Sequence, residues 1–309
     1  PEWFQAPLTS SNLPIFLIDT EGVPIVDDPR ISANLQVINN SPSKRNVITD
    51  TPTDYNGRIS IEHRGSTSQG FPKKQYGFET QDGAGENNNV SLLGMPEEND
   101  WILNAPYSDK SLMRNVLAYD LARAMGRYAP RAKFCEVFLN GRYDGVYVLL
   151  EKIKRDSERV NIKKLDDADT SGGYIIKIDK FTGEGGEGWQ SPVEQAGWNS
   201  PFFQYEDPES GELNQAQRDY IESYVSEFEI ALAGGDFSRY RELIDMGSFV
   251  DFMIVQEVSR NVDAYRLSTF LHKHHESQGG RLHVGPLWDF NLGFGNANYN
   301  DAFEAAGWA

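Results

Sequence analysis

The sequence predicts an α+β chain of two lobes: a first half that is mainly sheet with one long helix, then a second half of helices plus a hairpin. Three observations carry this. Apolar residues alternate with polar ones along much of the first 80 residues. Apolar stripes at helical spacing take over between Asn214 and Val258. The chain has 309 residues, enough for one large domain or two modest ones.

Ile15 to Ile18 is an apolar run, and Asp19-Thr20-Glu21-Gly22 reads as a turn. Leu35 and Val37 alternate with polar neighbours, as in a half-buried strand. Asn39 to Asn56 is polar, contains two prolines and reads as a loop. Ile59, Ile61 and His63 alternate within a strand from Arg58 to Arg64, and Gln75 to Thr80 is its hairpin partner. Gln81 to Asn89 is Gly/Asn-rich loop. Ser108 or Asp109 caps a helix striped by Leu112, Met113, Val116, Leu117, Leu121 and Ala124, and Gly126 closes it. Asn140-Gly141 joins strands Lys133 to Leu139 and Gly145 to Leu150, a strong hairpin signal. Tyr174 to Ile178 is another strand, and residues 182–212 read as a long loop. Asn214 caps a helix ending at Gly234, Ser248 caps a second through Val258, and strands Leu267 to Lys273 and Arg281 to Trp288 follow.

Lys plus Arg number 29 against 46 Asp plus Glu, a net charge of −17. Such a field repels phosphate backbones, so nucleic acid is not expected as the main partner. No apolar run approaches the roughly 20 residues of a membrane span, and the start lacks a charged-then-apolar leader pattern. Cys135 is the single cysteine, so no internal disulfide or cysteine-based zinc site is expected.

Gly183-x-Gly185-x-x-Gly188 matches a dinucleotide loop in form only, because no helix follows and Glu184 and Glu187 would repel a pyrophosphate. No P-loop and no G-x-S-x-G elbow occur. His272, His274, His275 and Glu276 invite a metal reading, but the segment reads as a hairpin loop whose histidines face water. Two other segments are better sites. Arg64-Gly65-Ser66-Thr67-Ser68-Gln69-Gly70-Phe71-Pro72-Lys73-Lys74 gathers cations, glycines and hydroxyls between two strands, which suits an oxyanion. Asp263 and Trp288-Asp289-Phe290-Asn291 lie at the ends of regular elements, and their oxygens suit Mg²⁺.

These segments, in this order, resemble the CotH family of atypical protein kinases, of the spore-coat-protein-H type. The matching stretches are Arg64 to Ser68 with Lys73-Lys74, Asn99 to Leu103, Leu112 to Asn115, Gly145 to Ile153, Asn261 to Asp263 and Trp288 to Phe290. The resemblance implies a protein-kinase-like two-lobed fold: a β-rich N-terminal lobe to about residue 153 and a mainly helical C-terminal lobe from 154 to 309. It implies ATP, Mg²⁺ or Mn²⁺, and transfer of phosphate to protein Ser or Thr. By position, Lys74 (or Lys73) would grip ATP phosphates, with Arg64, Ser66 and Ser68 in the same loop. Glu151 to Ile153 would meet the adenine. Asp263 resembles the catalytic aspartate and Asp289 the metal-binding one, with Asn291 and Ser268 beside the metal.

Asn291 stands where many members carry a second Asp, and Ser268 where many carry Asn; each substitution weakens the expected metal site. Members of the family commonly continue into further helices beyond the position of Ala309. The expected protein substrate is basic, since the negative field would steer it, and Ser-rich, since the resemblance implies a Ser or Thr acceptor. The alternative is a catalytically weak or inactive surface or coat module acting in binding or adhesion. The resemblance places the protein outside the cell, at its surface or in a coat.

Overall fold

The computed structural model describes residues 8–166, 168–180, 187–194, 200–304 and 306–309. The chain divides into two compact units, Pro1–Lys110 with Arg131–Lys152, and Ser111–Pro130 with Ile153–Ala309.

The first unit is built on seven strands: β1 (Ile15–Asp19), β2 (Ile31–Ile38), β3 (Tyr55–Arg64), β4 (Gln75–Gln81), β5 (Asp100–Asn104), β6 (Ala132–Leu139) and β7 (Arg142–Glu151). They close into a barrel in the order β1-β2-β3-β4-β5-β7-β6. All neighbours are antiparallel except β1 and β6, whose parallel pairing of Ile15 with Glu136 closes the ring. Closure removes the free edges that an open sheet would expose. Alternate residues point inward, as the two-residue period demands. Phe16, Ile18, Leu35, Val37, Ile59, Ile61, Phe78, Trp101, Leu103, Val137 and Leu149 fill the barrel core. Cys135 lies among them, and burial pushes its thiol pKa up. The Asn140-Gly141 turn has φ of 50° and 74°, the two left-handed residues that a tight hairpin between β6 and β7 needs.

The second unit contains helix α1 (Arg114–Ala124), strands β8 (Tyr174–Ile178), β9 (Gly188–Gln190) and β10 (Phe202–Asp207), helices α2 (Gln215–Ala233), α3 (Phe237–Leu243) and α4 (Met246–Ser259), and strands β11 (Thr269–Lys273) and β12 (Leu282–Val284). The strands form one antiparallel sheet in the order β12-β11-β8-β10-β9. One sheet face packs Tyr174, Ile176, Phe203, Tyr205, Leu271 and Leu282 against Ile221, Val225 and Phe228 of α2 and Leu243 of α3. On the other face, Ile175 and Phe270 pack with Ile153, Val160 and Ile162. Asn214 caps α2 as expected, accepting from the Gln217 N–H while the Gln217 side chain accepts from the Asn214 N–H.

The expectation of a kinase-like two-lobed fold with a mainly helical C-terminal lobe is overturned. The first unit is a closed seven-stranded barrel, and the second keeps a five-stranded sheet beside its helices. The described residues hold four α-helices against twelve strands, so the chain is mostly β. Part of the reason lies in residues 182–212, read as loop. That span holds β9 and β10. Gly188 starts β9, and a Cβ there would lie 1.8 Å from the Phe203 carbonyl oxygen. This glycine serves close strand packing; Gly183 and Gly185 of the same motif lie outside the described residues. Helix α1 also starts later than its Ser108 or Asp109 signal, because Leu112 takes a left-handed φ of 63° just before it. No helix among the described residues is long and apolar enough to cross a membrane.

Candidate functional site

In the first unit, Arg64 pairs with Gln75 at the end of the β3–β4 ladder, so residues 65–74 form its connecting loop. Gly65 has φ 98°, and a Cβ on it would lie 2.0 Å from the Ser68 hydroxyl oxygen. Glycine lets the chain turn tightly here and brings Ser66 and Ser68 into a short 3-10 turn region. The Lys74 ammonium donates to the Gln69 carbonyl at 2.5 Å and so folds back over its own loop. The Lys73 ammonium donates to the Val146 carbonyl and lies 4.2 Å from the centre of the Tyr147 ring. Burial lowers the Lys73 pKa, an effect partly offset by Asp144. The Tyr147 hydroxyl bonds the Asp144 carboxylate and lies 3.0 Å from the Lys74 carbonyl. Val146 and Tyr147 of strand β7 thus hold the Lys73 ammonium and the Lys74 backbone.

Glu151 is fully buried. Its carboxylate accepts from the Arg131 N–H at 2.9 Å and from the Arg131 guanidinium at 2.8 Å. This is an internal anchor of the barrel. In the second unit, the Ile153 side chain lies in the apolar cluster with Val160 and Phe270.

The acidic candidates belong to the second unit. Helix α4 ends at Arg260, whose φ of 45° is left-handed. Asn261 follows, buried, with its amide donating to the Gln256 side chain at 3.0 Å. The Asn261 side-chain oxygen in turn lies 3.3 Å from the Asp263 N–H. Asp263 then meets the Arg266 guanidinium at 2.6 Å. Ser268 has φ 48°, and its hydroxyl lies 3.3 Å from a carboxylate oxygen of Asp179, just beyond β8. The register explains this meeting, because Thr269 of β11 faces Ile178 of β8.

Asp289 is exposed and also left-handed, with φ 58°. Helix α1 holds its turn. The Asn115 side-chain oxygen accepts the Phe290 N–H at 2.7 Å, and the Tyr119 hydroxyl lies 3.3 Å from the Asp289 N–H. The Tyr119 ring stacks on Trp288 at 6.0 Å, and Arg114 donates to the Gly293 carbonyl at 3.1 Å. The Asn291 carbonyl accepts from the Asn296 amide at 2.7 Å. Non-glycine residues in this backbone region are uncommon and strained, and such strain clusters at functional sites. Sequence reasoning missed Asn115 and Tyr119 as supports, and Asp179 altogether. The signal for Asp179 was present: an acid directly after an apolar strand, the kind of position that singled out Asp289.

The histidines are sorted differently from the expectation of a water-facing loop. His275 accepts from the Ser277 N–H at 3.0 Å and pairs with Asp169 at 2.5 Å. Glu276 approaches the buried ammonium of Lys273 at 3.3 Å. His272 and His274 instead join His283, with ligand atoms all within 4.8 Å of one another. Burial lowers the pKa of all three, to about 3 for His272 and about 4 for His283. No other trio of His, Cys, Asp or Glu among the described residues meets that distance.

Comparison with known proteins gives two findings. The family described as CotH kinase protein matches residues 61–308 of this chain. Inner spore coat protein H of Bacillus subtilis (strain 168) is 37% identical over 95 residues, which are 31% of this chain and 24% of that protein. The matched stretch thus spans about a quarter of that relative's length.

Proposed function

Because the chain belongs to the CotH kinase protein family, we propose that it transfers the γ-phosphoryl group of ATP to Ser or Thr hydroxyls of a protein substrate. The observation that carries this reading is the extent of the family match, residues 61–308, which takes in every candidate from Arg64 to Asn291. The name of the bacterial relative supports a coat-associated setting.

The donor set fits the chemistry. Asp289, Asn291, Ser268 and Asp179 offer only oxygen, which suits Mg²⁺ or Mn²⁺. When bound, the metal supplies charge neutralisation at the phosphates. Lys74, with Arg64, Ser66, Ser68 and Lys73 in the same loop, is assigned to the phosphates of ATP. Glu151 and Ile153 have their side chains engaged internally, so any contact they make with adenine is assigned to their backbone. Asp263 is assigned to the acceptor hydroxyl. The hydroxyl oxygen bonds to the γ-phosphorus, and the bond from that phosphorus to the bridging oxygen breaks. ADP leaves with the electron pair. The hydroxyl proton passes to Asp263 and then to water. Arg266, at 2.6 Å, holds one oxygen of Asp263 and so orients the other.

Incubation with γ-labelled ATP, Mg²⁺ or Mn²⁺ and a basic Ser-rich protein tests this. Label is expected on the substrate or on the chain itself, with at least a 100-fold loss in Asp263→Ala. No label above that variant removes the reading.

A second reading is a catalytically weak coat module. Asn291 and Ser268 favour it, since each weakens the expected metal site. A thermal shift with ATP and Mg²⁺ separates them, because a ligand at 100 times its Kd stabilises by about 2.7 kcal/mol. No shift favours the module.

A further inference from the structure

We propose that His272, His274 and His283 form a binding site for a divalent transition metal of the zinc class, with one coordination position left open to a small ligand. The site lies wholly in the second unit and uses none of the residues assigned to phosphate transfer.

Strand geometry brings the three rings together. His272 lies on β11 and His274 directly follows its end, where the His274 N–H still donates to the Arg281 carbonyl at 3.0 Å, so the two residues, two apart, project from the same face of the sheet. His283 on β12 is the direct antiparallel partner of His272. Such partners have Cβ atoms about 5 Å apart. The intervening Lys273 faces the opposite side, towards Tyr220 and Tyr224. The ring centres of the trio lie 4.1 to 5.2 Å apart. Three imidazoles are thus converged by two strands, which are rigid supports.

The surroundings orient the rings as a metal site requires. The His272 Nδ1 lies 2.9 Å from the Gly285 carbonyl oxygen, so it carries the proton and donates. Its Nε2 lone pair is then the one presented for coordination. The His283 Nδ1 lies 3.7 Å from a carboxylate oxygen of Asp245. That carboxylate is itself held by the Ser248 N–H at 2.7 Å and by Arg127 at 3.3 Å. A carboxylate behind a ligating histidine is a recurrent support of zinc sites.

Access and selectivity follow from the lining. A cavity of about 280 Å³ opens against the trio, bounded by Met125 and Arg127 just past the end of α1 and by Asp251 and Phe252 of α4. Asp251 is engaged by Arg127 at 2.7 Å, so the wall holds that acid in an ion pair. Three nitrogen ligands with an adjoining cavity match the pattern of a metal site that keeps a position for water or substrate. Imidazole nitrogen selects zinc, copper, nickel or cobalt over Mg²⁺ and Ca²⁺.

The test uses the full chain, stripped with a chelator and titrated with Zn²⁺ by calorimetry and with Co²⁺ by visible absorption. One equivalent of Zn²⁺ is expected, with intense Co²⁺ bands showing low coordination number and a melting temperature raised by the metal. His274→Gln and His283→Gln should each weaken Zn²⁺ binding at least tenfold, with far-ultraviolet dichroism checking that they fold. His275→Gln, outside the trio, should bind as the parent does. Absence of one-equivalent binding in the parent overturns the proposal. So does equal loss in the His275 variant, or unchanged affinity in both trio variants. Phosphate transfer enters none of these readouts, so failure here and failure of the kinase reading are distinguishable.

Discussion

Asn115→Ala isolates the hold that helix α1 has on the Asp289 turn. Asn115 is 8% exposed, and its side-chain oxygen accepts the N–H of fully buried Phe290 at 2.7 Å. Truncation leaves that amide without its acceptor in an apolar setting. A buried donor stranded in this way costs about 1–3 kcal/mol. Taking about 2 kcal/mol, the melting temperature should fall by roughly 4–8 °C in a unit of this size. Leu117→Ala on the same helix is the comparison, because Leu117 is 48% exposed and should change stability by less than about 0.5 kcal/mol. The assay is thermal and urea unfolding of the two variants, with phosphate transfer measured at a temperature where both are folded. Asn115→Ala should also lower transfer more than Leu117→Ala, since the turn carries Asp289. Equal stability and equal transfer in the two variants would refute the argument that α1 positions this turn.

Trp101→Ala empties the centre of the barrel, where Trp101 is 1% exposed, and should cost about 3–5 kcal/mol in urea unfolding. Glu151→Ala removes the acceptor of two hydrogen bonds from Arg131 and should cost about 2–3 kcal/mol whether or not ATP is present; a change in ATP affinity without a change in stability would count against its role as an anchor. Glu229 of α2 has one oxygen bonded to the Ser191 hydroxyl and the other buried without a partner among the described residues. Burial raises its pKa above the unfolded value, so the folded state takes up its proton more readily. Its ionised form is therefore destabilising above the raised pKa, and this is relieved as pH falls towards about 4.3. Glu229→Gln should melt higher than the parent at pH 8, with the gap closing by pH 4. Parallel melting curves across that range would refute it.

Local signals were reliable where a short stretch decides its own conformation. Asn140-Gly141, the Asn214 cap and the alternation of Ile59 and Ile61 each predicted the turn, helix start or strand that is present. The candidate aspartates were found because they follow an apolar helix and a strand-like run. Their supports were not legible, because Asn115 meets Phe290 across 175 positions of sequence. The histidine cluster fails the same way. His272 and His274 were noticed beside His275, but strand pairing exchanged His275 for His283.

By itself, the order of residues determined the barrel strands other than β5, the Asn214 cap of α2, the acidic balance and the membership of the chain in its family. Only the tertiary structure decided that β1 closes a ring on β6, that a five-stranded sheet accompanies the later helices, and which histidines converge. Periodicity reports which face of an element is buried, but not against which distant element it is buried. Barrel closure and cross-strand clusters depend on that second fact. It is settled by backbone pairing and packing between segments that lie far apart in the sequence.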